Sequence, residues 1–233
     1  MQVKLTPRLK KIADLVPMNS SVADIGTDHG YLPIYLLQNG ITSHVIASDV
    51  NRGPLETAEK NIQAHDYVDK IQMRLGSGLE VLKAGEVETV IIAGMGGILI
   101  SELLDKVPTI IQSVHTFILQ PMQAQADLRR YLVANNFRIS KDLLVKEDHK
   151  IYEIIVVQQG TQIVEEDIYY ETGFLLKSNP RDLAEEFIEG KIKTQKEIIL
   201  QVQNQDSSAA MKKYKACKEK LIKLEEVLAW LKQ

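Results

Sequence analysis

Cysteine is almost absent from this chain: Cys217 is the only one in 233 residues. A lone thiol cannot close a disulfide within the chain or build a cysteine zinc cluster, so no resident metal is expected. The same scarcity fits a reducing compartment. Long apolar runs are missing too. Nothing approaches the roughly 20 residues of a membrane span, and the opening Met1-Gln2-Val3-Lys4-Leu5 lacks the apolar stretch of a signal peptide. The expectation is a soluble, cytoplasmic protein with no membrane attachment. A basic surplus is also lacking, since the formal net charge is −3 and nucleic-acid binders usually carry the opposite sign. The distribution of charge tempers that exclusion. Lys191, Lys193, Lys196, Lys212, Lys213, Lys215, Lys218, Lys220 and Lys223 stand in one segment against Glu197, Asp206 and Glu219. That segment reads either as a solvated face of charged helices or as a phosphate-binding surface.

Hydrophobic residues at 45% and charged residues at 25% are ordinary for a globular chain. The length suits one mid-sized domain with an appendage, or two small domains. Thr6 caps and Pro7 opens a first helix with an apolar face of Leu9, Ile12, Ala13 and Val16. Apolar runs at Ser21–Ile25, His44–Ser48, Ile71–Leu75, Thr89–Ala93 and Thr116–Gln120 read as strands. They alternate with helical patterns near Tyr31–Gln38, Pro54–His65, Ile98–Asp105 and Gln123–Asn135. This alternation predicts an α/β fold with a parallel sheet and helices on both faces. Two further runs, Arg138–Lys146 and Ile151–Gln158 with His149-Lys150 between them, predict an antiparallel hairpin at the sheet edge, which makes seven strands.

The pattern changes near Gly160, so the expected domains are 1–160 and 161–233. Ile188, Ile192, Gln195, Ile199 and Val202 are spaced by fours and threes, as are Tyr214, Cys217, Leu221, Leu224, Leu228 and Leu231. That is the spacing of a coiled-coil seam. The short polar connection from Asn204 to Ser208 predicts an antiparallel helical hairpin, which favours a monomer. Two helices each pairing with another subunit is the alternative. Trp230 is expected to pack the hairpin, and Cys217 to lie in its core.

Ligands of open parallel α/β sheets bind at the carboxyl ends of the strands. Asp24-Ile25-Gly26-Thr27-Asp28-His29-Gly30 follows the first strand. Its glycine spacing is G-x-x-x-G, not the G-x-G-x-x-G of nicotinamide enzymes. Asp24 and Asp28 would oppose a pyrophosphate and suit a cationic ligand end such as an ammonium or sulfonium, or Asp24 caps the loop by bonding its backbone amides. Asp49 ends the second strand, where a carboxylate accepts hydrogen bonds from ribose hydroxyls. Gly76-Ser77-Gly78 follows the third strand and leaves room for a flat ring, or merely turns the chain. Together these ends predict an adenosine site of Asp24, Gly26, Thr27, Asp28, His29, Gly30, Asp49, Val50, Gly76, Ser77, Gly78 and Ala93. The fourth strand runs into Gly94-Met95-Gly96-Gly97, stripped of side chains as if a substrate approaches closely. His44, His65 and His115 are scattered and carry no predicted role.

These residues in order resemble the bacterial tRNA (adenine-22-N1)-methyltransferase family. The likeness runs from Pro7-Arg8-Leu9 through Asp24–Pro33, Ile92–Gly97, Leu119-Gln120-Pro121, Leu128-Arg129 and Tyr152-Glu153-Ile154 into the helical hairpin. It implies a class I methyltransferase Rossmann-like domain followed by a coiled-coil hairpin, S-adenosylmethionine as cofactor, and tRNA as partner. It further implies a base pocket shaped by Gly94, Met95, Gly97 and Gln120, and tRNA contacts by Arg8, Lys191, Lys193, Lys196, Lys212, Lys213 and Lys215. Two positions depart from the family's habit. Ser77 stands where an acidic or amide residue is common, and Met122 stands where Asn is common. Two rival readings remain at this stage. A small-molecule methyltransferase would share the cofactor site without needing a basic hairpin, and a non-enzymatic module would use the hairpin to recruit a protein.

Overall fold

A computed structural model describes residues 2–205 and 207–233. Met1 of the opening segment and Asp206 of the helix connection lie outside the described residues. The chain divides into two compact units, one running through Ile163 and the other beginning at Val164.

The first unit opens with helix α1 (Pro7–Ala13), where Thr6 Oγ1 accepts from the Leu9 N–H at 3.5 Å and Pro7 occupies the first helical position. Then follow β1 (Val22–Ile25), α2 (Tyr31–Gln38), β2 (Val45–Asp49), α3 (Arg52–Ala64) and β3 (Ile71–Leu75). A 3₁₀ turn over Gly78–Val81 leads to β4 (Thr89–Met95), α4 (Gly97–Asp105) and the one-turn helix α5 (Pro108–Ile111). β5 (Thr116–Pro121), α6 (Gln125–Ala134), β6 (Phe137–Glu147) and β7 (Lys150–Gln159) complete it. β1 is buried along its whole length, as are the first four residues of β4 and all of β5. That explains why they read as continuous apolar runs and not as alternating ones. Each fully buried Ile or Leu in these strands contributes about 1.5–3 kcal/mol.

The seven strands lie in the order β3-β2-β1-β4-β5-β7-β6. β1 pairs in parallel with both β2 and β4, so the order reverses between β1 and β4. A crevice opens at such a reversal because successive connections leave in opposite directions. β7 runs antiparallel between β5 and β6, which leaves β6 at the edge. A buried cluster pins helix α6 to this hairpin. Arg129 Nε and Nη2 donate to Asp142 at 2.9 and 2.7 Å, and Nη2 donates to Glu153 at 2.6 Å.

The second unit holds α7 (Ile168–Thr172), a 3₁₀ turn at Leu176–Ser178, α8 (Arg181–Val202) and α9 (Ser208–Leu231). α8 and α9 pack together. Arg181 at the start of α8 donates to the Lys232 carbonyl at 2.8 Å, and Lys196 meets Glu225 at 3.3 Å, so the two helices are antiparallel. Ile188, Ile192, Ile199 and Val202 are buried in the seam, with Leu224 and Leu231 opposite; Cys217 is half-buried. Trp230 departs from its expected packing. Its ring is well exposed and lies under Lys177 Nζ, 3.9 Å from the centroid. Among the described residues, no helix is long and apolar enough to cross a membrane.

Candidate active site

A cavity of about 540 Å³ opens at the carboxyl ends of β1 to β4, within the size range of small-molecule sites. Of the predicted cofactor residues, Asp24, Gly26, Thr27, Asp28, His29, Asp49, Val50, Gly76, Ser77, Gly78 and Ala93 line it. The β1–α2 loop makes one wall. Gly26 has φ +80°, a left-handed conformation that favours glycine, while its open face lies against the flexible end of the Met95 side chain. The Gly26 and Thr27 N–H groups both donate to the Ser48 carbonyl, at 2.8 and 2.9 Å, which fixes the loop against β2.

Asp24 sits at the back of this wall, almost fully buried. Burial pushes its pKa up to about 6, the neighbouring Thr27 hydroxyl lowers it in part, and the Asp49 charge raises it. Thr27 Oγ1, Ser48 Oγ and Arg8 Nε are buried without a well-formed hydrogen bond among the described residues. All three residues line the cavity. Arg8 Nε still lies 3.8 Å from Glu147 Oε1 and the Thr27 hydroxyl still bears on Asp24, so Ser48 Oγ is the clearest polar atom on this wall for a ligand to satisfy. At the end of β2, one Asp49 oxygen accepts from the Asn51 N–H at 2.7 Å. The Asp49 carbonyl holds the Gly76 N–H at 3.0 Å, bringing the ends of β2 and β3 together.

The predicted base-pocket residues divide. Gly94 and Met95 line the cavity, but Gly97 and Gln120 do not. Gln120 is fully buried. Its Oε1 accepts from Arg8 Nη1 at 2.6 Å and from the Gly94 N–H at 3.2 Å, while Nε2 donates to the Pro121 carbonyl at 2.9 Å. Gly94 has φ +81° and interrupts the β4–β5 register between Ala93 and Met95. Gln120 therefore acts through the backbone of the glycine loop instead of facing a ligand. At Gly97 a side chain would collide with the Ala124 carbonyl, so this glycine serves helix packing. Gly30 is likewise off the wall. It starts α2 with φ +72°, and a Cβ would lie 3.2 Å from Ala58 Cβ on α3.

Arg8 lines the cavity, with its guanidinium tied to Gln120 and stacked 5.3 Å from the Tyr152 ring centroid. Its N–H donates to Glu147 at 2.8 Å. Burial pushes the Glu147 carboxyl up, but hydrogen bonds from Thr6 and the Arg8 N–H, with the Arg8 charge, hold its pKa below the ordinary value. Met122, exposed beside Gln120, receives only a weak Gln120 Nε2 contact at 3.6 Å on its sulfur. Sequence reasoning assigned no cavity role to Leu9, Tyr31, Leu32, Ser48, Asn51, Leu99 or Leu103, all of which line it.

The predicted tRNA-contacting lysines all lie on α8 and α9 of the second unit. Lys191 covers the Phe187 ring at 4.6 Å, and Lys196 is paired with Glu225. Lys193, Lys212, Lys213 and Lys215 are exposed.

The crevice at the sheet reversal is walled by a glycine turn, the buried Asp24 carboxyl and Asp49, in a sheet order shared by methyltransferase domains. Residues 5–155 match the family model described as a methyltransferase domain. The Bacillus subtilis tRNA (adenine(22)-N(1))-methyltransferase is 35% identical over 159 residues, 68% of this chain and 67% of that protein. The crystal structure of the B. subtilis m1A22 tRNA methyltransferase TrmK superposes with a TM-score of 0.87 at 29% identity, covering 97% of this chain and 100% of that one. The structure of M. capricolum TrmK in complex with its natural cofactor product S-adenosyl-homocysteine gives 0.81 at 29% identity, covering 97% of this chain and 98% of that one. The chain belongs to the tRNA (adenine(22)-N(1))-methyltransferase family.

Proposed function

We propose that this protein is an S-adenosylmethionine-dependent methyltransferase acting on N1 of adenine 22 in tRNA. The observation that carries this is the cavity itself. Its lining includes the buried Asp24 carboxyl, suited to an ammonium group, and Asp49, suited to a ribose diol, in a chain of this family. Asp24 and the Thr27 hydroxyl would hold the amino-acid end of the cofactor. Asp49 would hold the ribose, and the small residues Gly76 to Gly78 would admit the adenine ring. When bound, the cofactor supplies an electrophilic methyl on a sulfonium. N1 of adenine carries an in-plane lone pair and becomes cationic on methylation, so the chain needs no general base. Its contribution is positioning, the main source of rate when reacting atoms are held in line. Gly94 and Met95 leave the acceptor side open, while Gln120 fixes the Gly94 turn and Arg8. N1 lies on the pairing edge, so the base must leave its helix to react.

The working division assigns cofactor binding to 1–160 and tRNA phosphate contacts to 161–233, through Lys193, Lys212, Lys213 and Lys215. Lysines supply affinity to phosphates without reading sequence. A hairpin seam filled by its own two helices supports a monomer, and the chemistry requires no metal and no membrane in a cytoplasmic setting. The test is incubation with labelled S-adenosylmethionine and an unmodified tRNA transcript bearing adenine 22, followed by mapping of the label. Label at N1 of that adenine supports the assignment. Label elsewhere in the tRNA discards the site, and transfer only to small amines or phenols discards the substrate class.

A further inference from the structure

Two aromatic rings line the cavity beside its polar residues: Tyr31, which has no part in the cofactor site expected from sequence, and His29, which enters that site only as a member of the β1–α2 loop. His29 and Tyr31 both line the cavity and both are exposed. Their ring centroids lie 5.6 Å apart with the planes 30° from parallel. An exposed stacked pair gains little from the hydrophobic effect, so packing alone does not account for it. Contacts also anchor the turn that carries the pair. Asn61 Nδ2 on α3 donates to the His29 carbonyl at 2.9 Å, and Asp28 Oδ2 lies 3.4 Å from His29 Nε2. Between the two rings, Gly30 adopts φ +72° and packs on Ala58, which fixes the turn that carries them.

We propose that His29 and Tyr31 form the platform on which the target adenine stacks once it leaves the tRNA helix, a reading that rests on the tRNA methylation proposed above. Unpaired bases are bound by stacking on aromatic side chains, histidine included, because every base has a π-face. The platform also distinguishes the reacting state from the resting one. Methylation at N1 makes the ring cationic, and the electron-rich face of a phenol attracts a cation more strongly than a neutral ring. The pair therefore acts on turnover more than on overall tRNA affinity, which phosphate contacts dominate.

Tyr31→Ala, Tyr31→Phe and the unmodified protein are compared in three measurements. Removing one base-stacking partner lowers kcat on tRNA by roughly 5- to 150-fold in Tyr31→Ala, with the tRNA KM and the S-adenosylmethionine Kd each held within about threefold. Tyr31→Phe keeps the π-face and retains most of the rate. With 2-aminopurine at tRNA position 22, the saturated Tyr31→Ala complex fluoresces more brightly than the other two, because the probe base loses its quenching neighbour. A Tyr31→Ala kcat within twofold of the unmodified protein overturns the platform. So does a loss that follows cofactor affinity alone, or equal fluorescence in all three complexes. Turnover by the unmodified protein with Tyr31→Ala unaffected sinks only the platform. Absence of turnover by the unmodified protein on any tRNA sinks the tRNA reading with it.

Discussion

Cofactor affinity should depend on pH in a way that isolates Asp24. Its carboxyl is buried on the cavity wall, and burial pushes its pKa up to about 6. An ammonium group binds the ionised form, so the apparent Kd is the intrinsic value divided by the ionised fraction. One unit below the pKa that fraction is about one in eleven, and one unit above it is about ten in eleven. S-adenosylmethionine should therefore bind roughly tenfold more tightly at pH 7 than at pH 5, with a plateau above. Asp24→Asn should bind weakly at every pH, by about 10- to 150-fold relative to the plateau, because a charge-assisted hydrogen bond is worth about 1.5–3 kcal/mol. Its titration should also be flat. The ligand-free fold responds in the opposite sense. Because the folded pKa exceeds the unfolded value of 3.8, the native state binds the extra proton between about pH 4 and 6, and its stability falls as pH rises through that window. Calorimetric titrations from pH 5 to 8 at constant ionic strength are the assay. Affinity constant within twofold across pH 5 to 7, or a pH slope that survives in Asp24→Asn, would refute the assignment.

Other outcomes follow from neighbouring parts of the structure. Gln120→Leu strands the Gly94 N–H and Arg8 Nη1, a cost of about 1–3 kcal/mol for each buried group left unpaired. Single-turnover rates on tRNA should drop about tenfold or more while Gln120→Glu, which keeps the acceptor, recovers part of the loss; equal rates for all three proteins would count against the clamp. Arg129→Leu leaves Asp142 and Glu153 buried without their cation and should destabilise the first unit by about 3–5 kcal/mol in urea unfolding. Replacing Lys212, Lys213 and Lys215 together by Ala should weaken tRNA binding and flatten its salt dependence by about 2–3 units of slope. Cofactor affinity should not change in that variant, and an unaltered slope would remove these lysines from the interface.

Much of the fold was legible because its signals are local. The Thr6-Pro7 cap and the Tyr31–Gln38 helix stand where the sequence puts them, and β3 spans the residues read as its strand. Strand ends were read one or two residues short, since pairing at Met95 and Pro121 depends on neighbours and not on apolarity. α5 escaped because four residues cannot show a helical period. The site divided along the same line. Loop residues after β1, β2 and β3, expected from topology and their glycines and acids, do line the cavity, whereas Gln120 was assigned to the pocket wall and is fully buried off it. Every residue of β5 is buried, so no alternation existed to tell which way Gln120 points. Its partners Arg8 and Gly94 lie 112 and 26 residues away, beyond the reach of any local pattern. Tyr31 was read only as part of the family string, because one aromatic at a helix start looks like packing until its neighbour is seen.

The single thiol, Cys217, lies on α9, half-buried in the helical hairpin. The unit that carries the cavity consequently has no sulfhydryl at all. Peroxide and thiol-seeking electrophiles find no cysteine to capture there, so methyl transfer should persist through oxidative episodes that silence cysteine-dependent enzymes. For the experimenter the same accident is a convenience. A maleimide dye goes to one place, on the hairpin proposed to meet tRNA.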